Sequence, residues 1–302
     1  MQLMQIGSSP LLGVLCVIGA AILWGTTGTS QALAGGSLPS LWFGALRLAF
    51  ATMFFATVAA LSGGVTRSAW QGLSPIAVIG AGLCMAAYNL TFFEGVRLTG
   101  VGVGTAIALG SGPIWAGLLQ AVFQGQPTTP AWWVGTTVAI TGGVLLSLGG
   151  GELAVSFSGV VLCLASGLSY AIYTLLNKKL VAHAPASSIT LAAFAVATFV
   201  SLCVAATQAS LPVLGGRDVL AVAYTGVITA GLGYLLFSVA LRQIRPATAV
   251  TLALIEPVVA FVLAVLLLGE SANLIAVCGL ILVVVGVLGV VRNELSSRHT
   301  AG

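Results

Sequence analysis

The sequence predicts an all-α polytopic membrane protein. Ten transmembrane helices form two inverted five-helix repeats around a central cavity. Three observations carry this: the composition, ten spaced apolar runs, and an internal repeat of half the chain. Of 302 residues, 59% are hydrophobic and 5% are charged, where a soluble domain carries about 25% charged residues. A soluble fold of this composition would leave most of its surface apolar. A disordered chain would leave even more apolar surface in water. In a bilayer the backbone must satisfy its own hydrogen bonds, and helices do so within each segment.

A membrane helix needs about 20 mostly apolar residues. Such runs cover 11–33, 40–61, 73–96, 101–123, 131–148, 159–180, 187–208, 219–241, 247–268 and 274–291. Turn-forming pairs separate them, among them Gly35-Gly36, Gly63-Gly64, Ala184-Pro185, Gly215-Gly216 and Arg245-Pro246. The first run has no Lys or Arg before it and is long for a signal-peptide core, so it is expected to be retained. On the side of the N-terminus the loops hold Arg67, Lys178, Lys179, Arg242, Arg245, Arg292 and Arg298; the opposite side holds Arg97 and Arg217. The positive-inside rule therefore predicts that both termini are cytoplasmic.

Sliding one half over the other superposes Trp24 on Tyr170, Gln31 on Asn177 and Ala51-Thr52 on Ala197-Thr198 at an offset of 146 residues. The offset then becomes 144, where Pro113 meets Pro257, Gly125 meets Gly269, Gly135 meets Gly279 and Gly142 meets Gly286. The expected units are residues 1–150 and 151–302. Five spans is an odd number, so the second unit is inverted relative to the first. That is the architecture of alternating access, in which one site faces either side in turn.

Charge inside a membrane is costly, so it marks candidate function. Arg47 falls in the second span and Glu94 near the end of the third, at similar depth. The two are expected to form an ion pair, either as a structural lock or as a gate; alternatively Arg47 attracts a substrate carboxylate. Glu256 falls near the midplane of the ninth span, with Pro257 after it removing a backbone donor. Three roles are open for Glu256: counter-charge for a substrate amine, proton carrier, or a structural hydrogen-bonding group. Glu270 reads as a helix-end cap. Polar and aromatic residues recur at helical spacing in both halves. Trp24, Thr27 and Gln31 share one face of span one, and Tyr170, Tyr173 and Asn177 recur in span six. Tyr88 and Asn89, Ser111, and Tyr234 extend this lining from spans three, four and eight. Trp70, Trp132 and Trp133 are assigned to the interfacial belt.

Several further residues carry a family resemblance: Trp24-Gly25-Thr26, Leu46-Arg47-Leu48-Ala49, the two Pro-centred spans, and Leu268-Gly269-Glu270. They resemble the EamA-type ten-helix branch of the drug/metabolite transporter superfamily. Within it the chain is most similar to bacterial exporters of amino acids, aromatic ones included. The resemblance implies a secondary exporter of small metabolites, with an amino-acid substrate, the lipid bilayer as surroundings and protons as a possible coupling ion. Other members carry nucleosides, quaternary amines or drugs. Gln126 departs from the Glu often found at that position.

Other classes are disfavoured. Ten scattered basic residues form no run that could neutralise a nucleic-acid backbone. Two His and no Cys/His cluster predict no metal, no cofactor is implied, and no phosphate-binding G-x-x-x-x-G-K-[ST] loop occurs. A membrane enzyme built on Ser111 would need a membrane-embedded His, yet His183 falls in a loop and His299 in the tail. A passive channel is disfavoured by the inverted repeat.

Overall fold

The computed structural model describes residues 9–34, 38–64, 66, 70–71, 73–148, 156–208, 210–269 and 272–299. Glu270 and Arg67 lie outside the described residues. Ten helices coincide with the ten apolar runs: α1 (Pro10–Ala34), α2 (Ser40–Leu61), α3 (Pro75–Thr99), α4 (Val101–Gln124), α5 (Pro130–Leu148), α6 (Phe157–Val181), α7 (Ala186–Gln208), α8 (Gly216–Ala240), α9 (Pro246–Leu268) and α10 (Leu274–His299). Among the described residues there is no strand, and nine helices are long and apolar enough to cross a membrane. The shortest of the ten, α5, has 19 residues and packs along α10.

The helix ends follow from local chemistry. Ser74 caps α3 by accepting from the Ala77 amide, with Pro75 in the first turn. Gly125 and Gly269 are equivalent in the repeat, and both end a helix in the left-handed conformation, at φ 62° and 72°.

A pseudo-twofold relation is visible where equivalent residues of the two halves meet. Thr52 Oγ1 lies 2.8 Å from Thr198 Oγ1, across the α2–α7 contact. The rings of Trp24 and Tyr170 meet edge to face at 6.4 Å. Along α5 and α10, Gly135 packs against the backbone of Gly286, and Gly142 against that of Gly279. That exchange is what inversion requires, because Gly135 is the counterpart of Gly279 and Gly142 of Gly286. Small residues let these backbones approach closely.

Two departures from symmetry matter for the site. The second half holds a π-helical stretch, Thr225–Leu232, inside α8. At its start Gly226 meets the Arg47 carbonyl, as Gly82 in the first half meets the equivalent Ala193 carbonyl, each at 2.8 Å. Tyr88 and Tyr234 follow it. The numbers 82 and 226 differ by 144, but 88 and 234 by 146. The wider π turns absorb the extra residues, and such bulges are frequent at functional sites. The other departure is in α9, whose helix is interrupted at Ala253-Leu254, ahead of Glu256 and Pro257. In α4, by contrast, Pro113 sits inside an unbroken helix. The carbonyl exposed by the α9 break is that of Ala253, and it accepts from the Glu256 amide at 2.9 Å.

Candidate functional site

At the centre of the bundle is an aromatic cluster drawn from both halves. Trp24 (α1) lies 4.9 Å from Tyr234 and 5.5 Å from Phe237 (both α8), centroid to centroid. Tyr170 (α6) lies 5.3 Å from Tyr88 (α3) and 5.7 Å from Phe237. The indole of Trp24 can lie flat against α8 because Gly233 stands there: a Cβ would fall 2.7 Å from the indole nitrogen.

Two opposite charges flank this cluster. Arg47 (α2) and Glu256 (α9) lie within electrostatic range of each other and of Tyr88, and all three residues are half-buried. They form no ion pair within 4.0 Å. Three polar atoms nearby are buried with no protein partner: Arg47 Nε, Trp24 Nε1 and the Tyr170 hydroxyl. An unsatisfied buried polar group costs about 1–3 kcal/mol. The site therefore offers hydrogen-bond donors and one carboxylate that the protein does not itself satisfy.

The expected Arg47–Glu94 pair is not formed. Glu94 instead accepts two bonds from Arg97, at 2.9 and 2.5 Å, one turn along the same helix and at its exposed end. An i,i+3 partner is held by the helix itself, whereas Arg47 would have to reach across from α2. This removes Glu94 from the site and leaves Arg47 free to face Glu256. Trp132 is also corrected: it is 2% exposed and packs on Gly117 of α4 rather than lying at an interface.

The remaining residues separate by height. Tyr173 is fully buried on the side of the N-terminus and accepts from Asn177 Nδ2 at 3.2 Å. Ser111 is buried at the α4–α6 contact, against Gly167, with its hydroxyl donated to Ala108 O. Asn89 is 3% exposed and lies against Gly44 of α2. Thr27 and Gln31 are half-buried toward the opposite end of α1. There Gly28 faces open space, with nothing within 4 Å of a built Cβ. Sequence reasoning missed Phe237, which sits one helical turn beyond Tyr234, a spacing that places it on the same face.

The sequence model of the EamA-like transporter family matches residues 11–148 and again 157–292. The chain belongs to the EamA-like transporter family. It is a multi-pass membrane transporter, not an enzyme. An uncharacterised transporter of Bacillus subtilis, YwfM, is 35% identical over 278 residues, 91% of this chain and 92% of that one. A probable terminal-alkyne amino-acid exporter of Streptantibioticus cattleyicolor is 28% identical, covering 79% and 80% of the two chains. A solved crystal structure superposes with a TM-score of 0.80 at 18% identity, covering 93% of this chain and 97% of that one, which shows the shared fold. The two family matches fall on the two five-helix halves, each of which supplies one of the flanking charges.

Proposed function

We propose that this EamA transporter exports amino acids, aromatic and other neutral ones, from the cytoplasm by alternating access. In this reading it lies in a bacterial-type inner membrane with both termini cytoplasmic, as the loop charges favour. The observation that carries the proposal is the unpaired Arg47 and Glu256 flanking one aromatic cluster. A zwitterion fits that arrangement. Its carboxylate takes the Arg47 guanidinium and the orphaned donors of Trp24 and Tyr170, its ammonium takes Glu256, and its apolar body lies among the rings. Charge-assisted hydrogen bonds are the strongest that such a site can offer. The relative named as an amino-acid exporter supports the same class.

The test is substrate counterflow in liposomes holding the purified protein, comparing phenylalanine with phenethylamine and 3-phenylpropionate. Wild type is expected to prefer phenylalanine. Glu256→Gln should lose phenylalanine exchange about tenfold or more, with little effect on 3-phenylpropionate, and Arg47→Gln should spare phenethylamine instead. If Glu256→Gln keeps exchange but loses pH-driven accumulation, Glu256 is the proton carrier rather than the amine site. If nucleosides or quaternary amines exchange and amino acids do not, the substrate class is overturned.

A further inference from the structure

The two ends of the bundle are closed differently. On the side of the N-terminus, α6 and α8 are tied together directly below the aromatic cluster. Asn177 Nδ2 donates to Ser238 Oγ at 2.8 Å, with both residues fully buried. One residue further along α6, Lys178 Nζ donates to Leu241 O and, at 3.3 Å, to Ile244 O, the carbonyls just past the end of α8. In return Arg242, just past α8, donates from Nε to Val181 O at 2.9 Å and from Nη2 to Ala184 O at 2.6 Å, at the end of α6. Each helix end thus lends a cation to the terminal carbonyls of the other. Val181 O and Leu241 O close their helices and carry the negative end of the dipole, while Ala184 O and Ile244 O belong to the turns that follow.

The inverted repeat makes this arrangement informative, because the opposite face should carry its image. At the same offset, Asn177 corresponds to Gln31, Lys178 to Ala32, Ser238 to Phe92 and Arg242 to Val96. None of the last three can donate such a bond from its side chain. α9 shows the same imbalance: Pro246–Leu252, at the tied face, is buried at every position, while Ile255–Leu268 has no buried residue.

We infer that Lys178 and Arg242 form a reciprocal latch that holds the N-terminal face of the transporter shut and must break for the central site to open there. This rests on the alternating-access reading above. Two inverted halves of identical sequence would give two end states of equal energy. Among the described residues such a latch is found at the N-terminal face alone, and it tips that balance toward the state closed there. Lys178 and Arg242 are positioning residues here: they touch helix ends and never the substrate.

The test uses the full-length protein in detergent, with its native cysteines replaced and one reporter cysteine added at a time. Leu241→Cys reports on the latched face, where Leu241 is fully buried, and Thr27→Cys reports on the opposite one. The readout is the rate of alkylation by a bulky hydrophilic maleimide. Lys178→Met with Arg242→Met is expected to raise labelling at position 241 by about tenfold and to lower it at position 27. Arg242→Lys, which keeps a cation, should restore part of the wild-type pattern. A rise at both reporters would mean a loosened fold, and no change at either would mean that the bonds are not a gate; each result overturns the latch. Labelling needs no substrate. A reciprocal shift in a protein that moves no amino acid would therefore leave the latch standing and refute the proposed substrate.

Discussion

Gly25 sits where α1 crosses α9, beside the carbonyl of Glu256. A Cβ added there would fall 2.6 Å from Val259 Cβ and 2.8 Å from Glu256 O, where ordinary contacts are 3.4–4 Å. Gly25→Ala therefore requires α1 and α9 to separate by roughly 1 Å, and overpacking of this kind costs about 1–3 kcal/mol. The displaced segment carries Glu256, so the separation falls on the geometry of the site itself. For a chain of this size the cost corresponds to a melting temperature lowered by about 2–10 °C. Exchange of phenylalanine should fall further than stability does, by at least about fivefold, because a 1 Å misplacement is large for a binding group. The control lies one turn along the same helix. Gly28 has nothing within 4 Å of a built Cβ, and alanine is favoured over glycine in a helix by about 0.5–1 kcal/mol. Gly28→Ala should therefore leave melting unchanged or slightly raised. Thermal unfolding in detergent and counterflow in liposomes read both quantities. Equal melting temperatures and fluxes for the two variants would refute the α1–α9 contact as described.

Three further outcomes follow from the geometry. Gly142→Ala and Gly286→Ala, which occupy equivalent places in the α5–α10 seam, should each lower the melting temperature by an amount corresponding to about 1–3 kcal/mol. Gly143→Ala, which meets nothing within 4 Å, should not, and unequal losses for the first two would break the claimed symmetry. Replacing Glu94 or Arg97 by Gln should leave melting and transport as in wild type, because their pair lies at an exposed helix end; a transport loss would return Glu94 to the site. Glu294 is 1% exposed and accepts from Thr248 Oγ1 at 2.7 Å and from the Arg245 amide at 3.4 Å. Glu294→Ala should destabilise the protein by about 1–3 kcal/mol, with Glu294→Gln milder, as measured by thermal melts.

The helices were readable in the sequence because a bilayer imposes one length and one polarity on every span, and the repeat was readable because equivalent positions kept their glycines and prolines. Trp24, Tyr88, Tyr170 and Tyr234 were found by helical spacing and do meet. The spacing could not give height along the helix to better than a turn or so. That is how Ser111, expected in the lining, comes to be packed against Gly167 of α6, while Tyr173 lies below the cluster and still meets the Tyr234 ring at 6.0 Å. The Arg47–Glu94 pairing failed for a related reason: equal depth says nothing about which faces two helices turn toward each other, and Arg97 was closer along the same chain. In the sequence Lys178 and Arg242 read only as loop charges. Their acceptors are backbone carbonyls, and a carbonyl has no residue type to read.

The repeat also explains why the two central charges sit where they do. Arg47 corresponds to Ala193 in the second half, and Glu256 to Gly112 in the first. Ala193 is 1% exposed, and a Cβ at Gly112 would already lie 3.3 Å from Val250. Neither counterpart has room for a long charged side chain without displacing a neighbour. The backbone is therefore duplicated, but the charges are not: one half supplies the cation and the other the anion. A fully symmetric site would present two cations and two anions, placing like charges together and offering a zwitterion two opposed orientations. Under the proposed zwitterion reading, an asymmetric site on a symmetric frame holds the substrate in one orientation. Exchanging the two charges, Arg47→Glu with Glu256→Arg, is expected to restore part of the phenylalanine counterflow that either change alone removes. Both arrangements offer one charge of each sign across the same rings. If the exchanged protein is as inactive as the single variants while folding normally, the two side chains do not share one ligand, and the zwitterion reading falls.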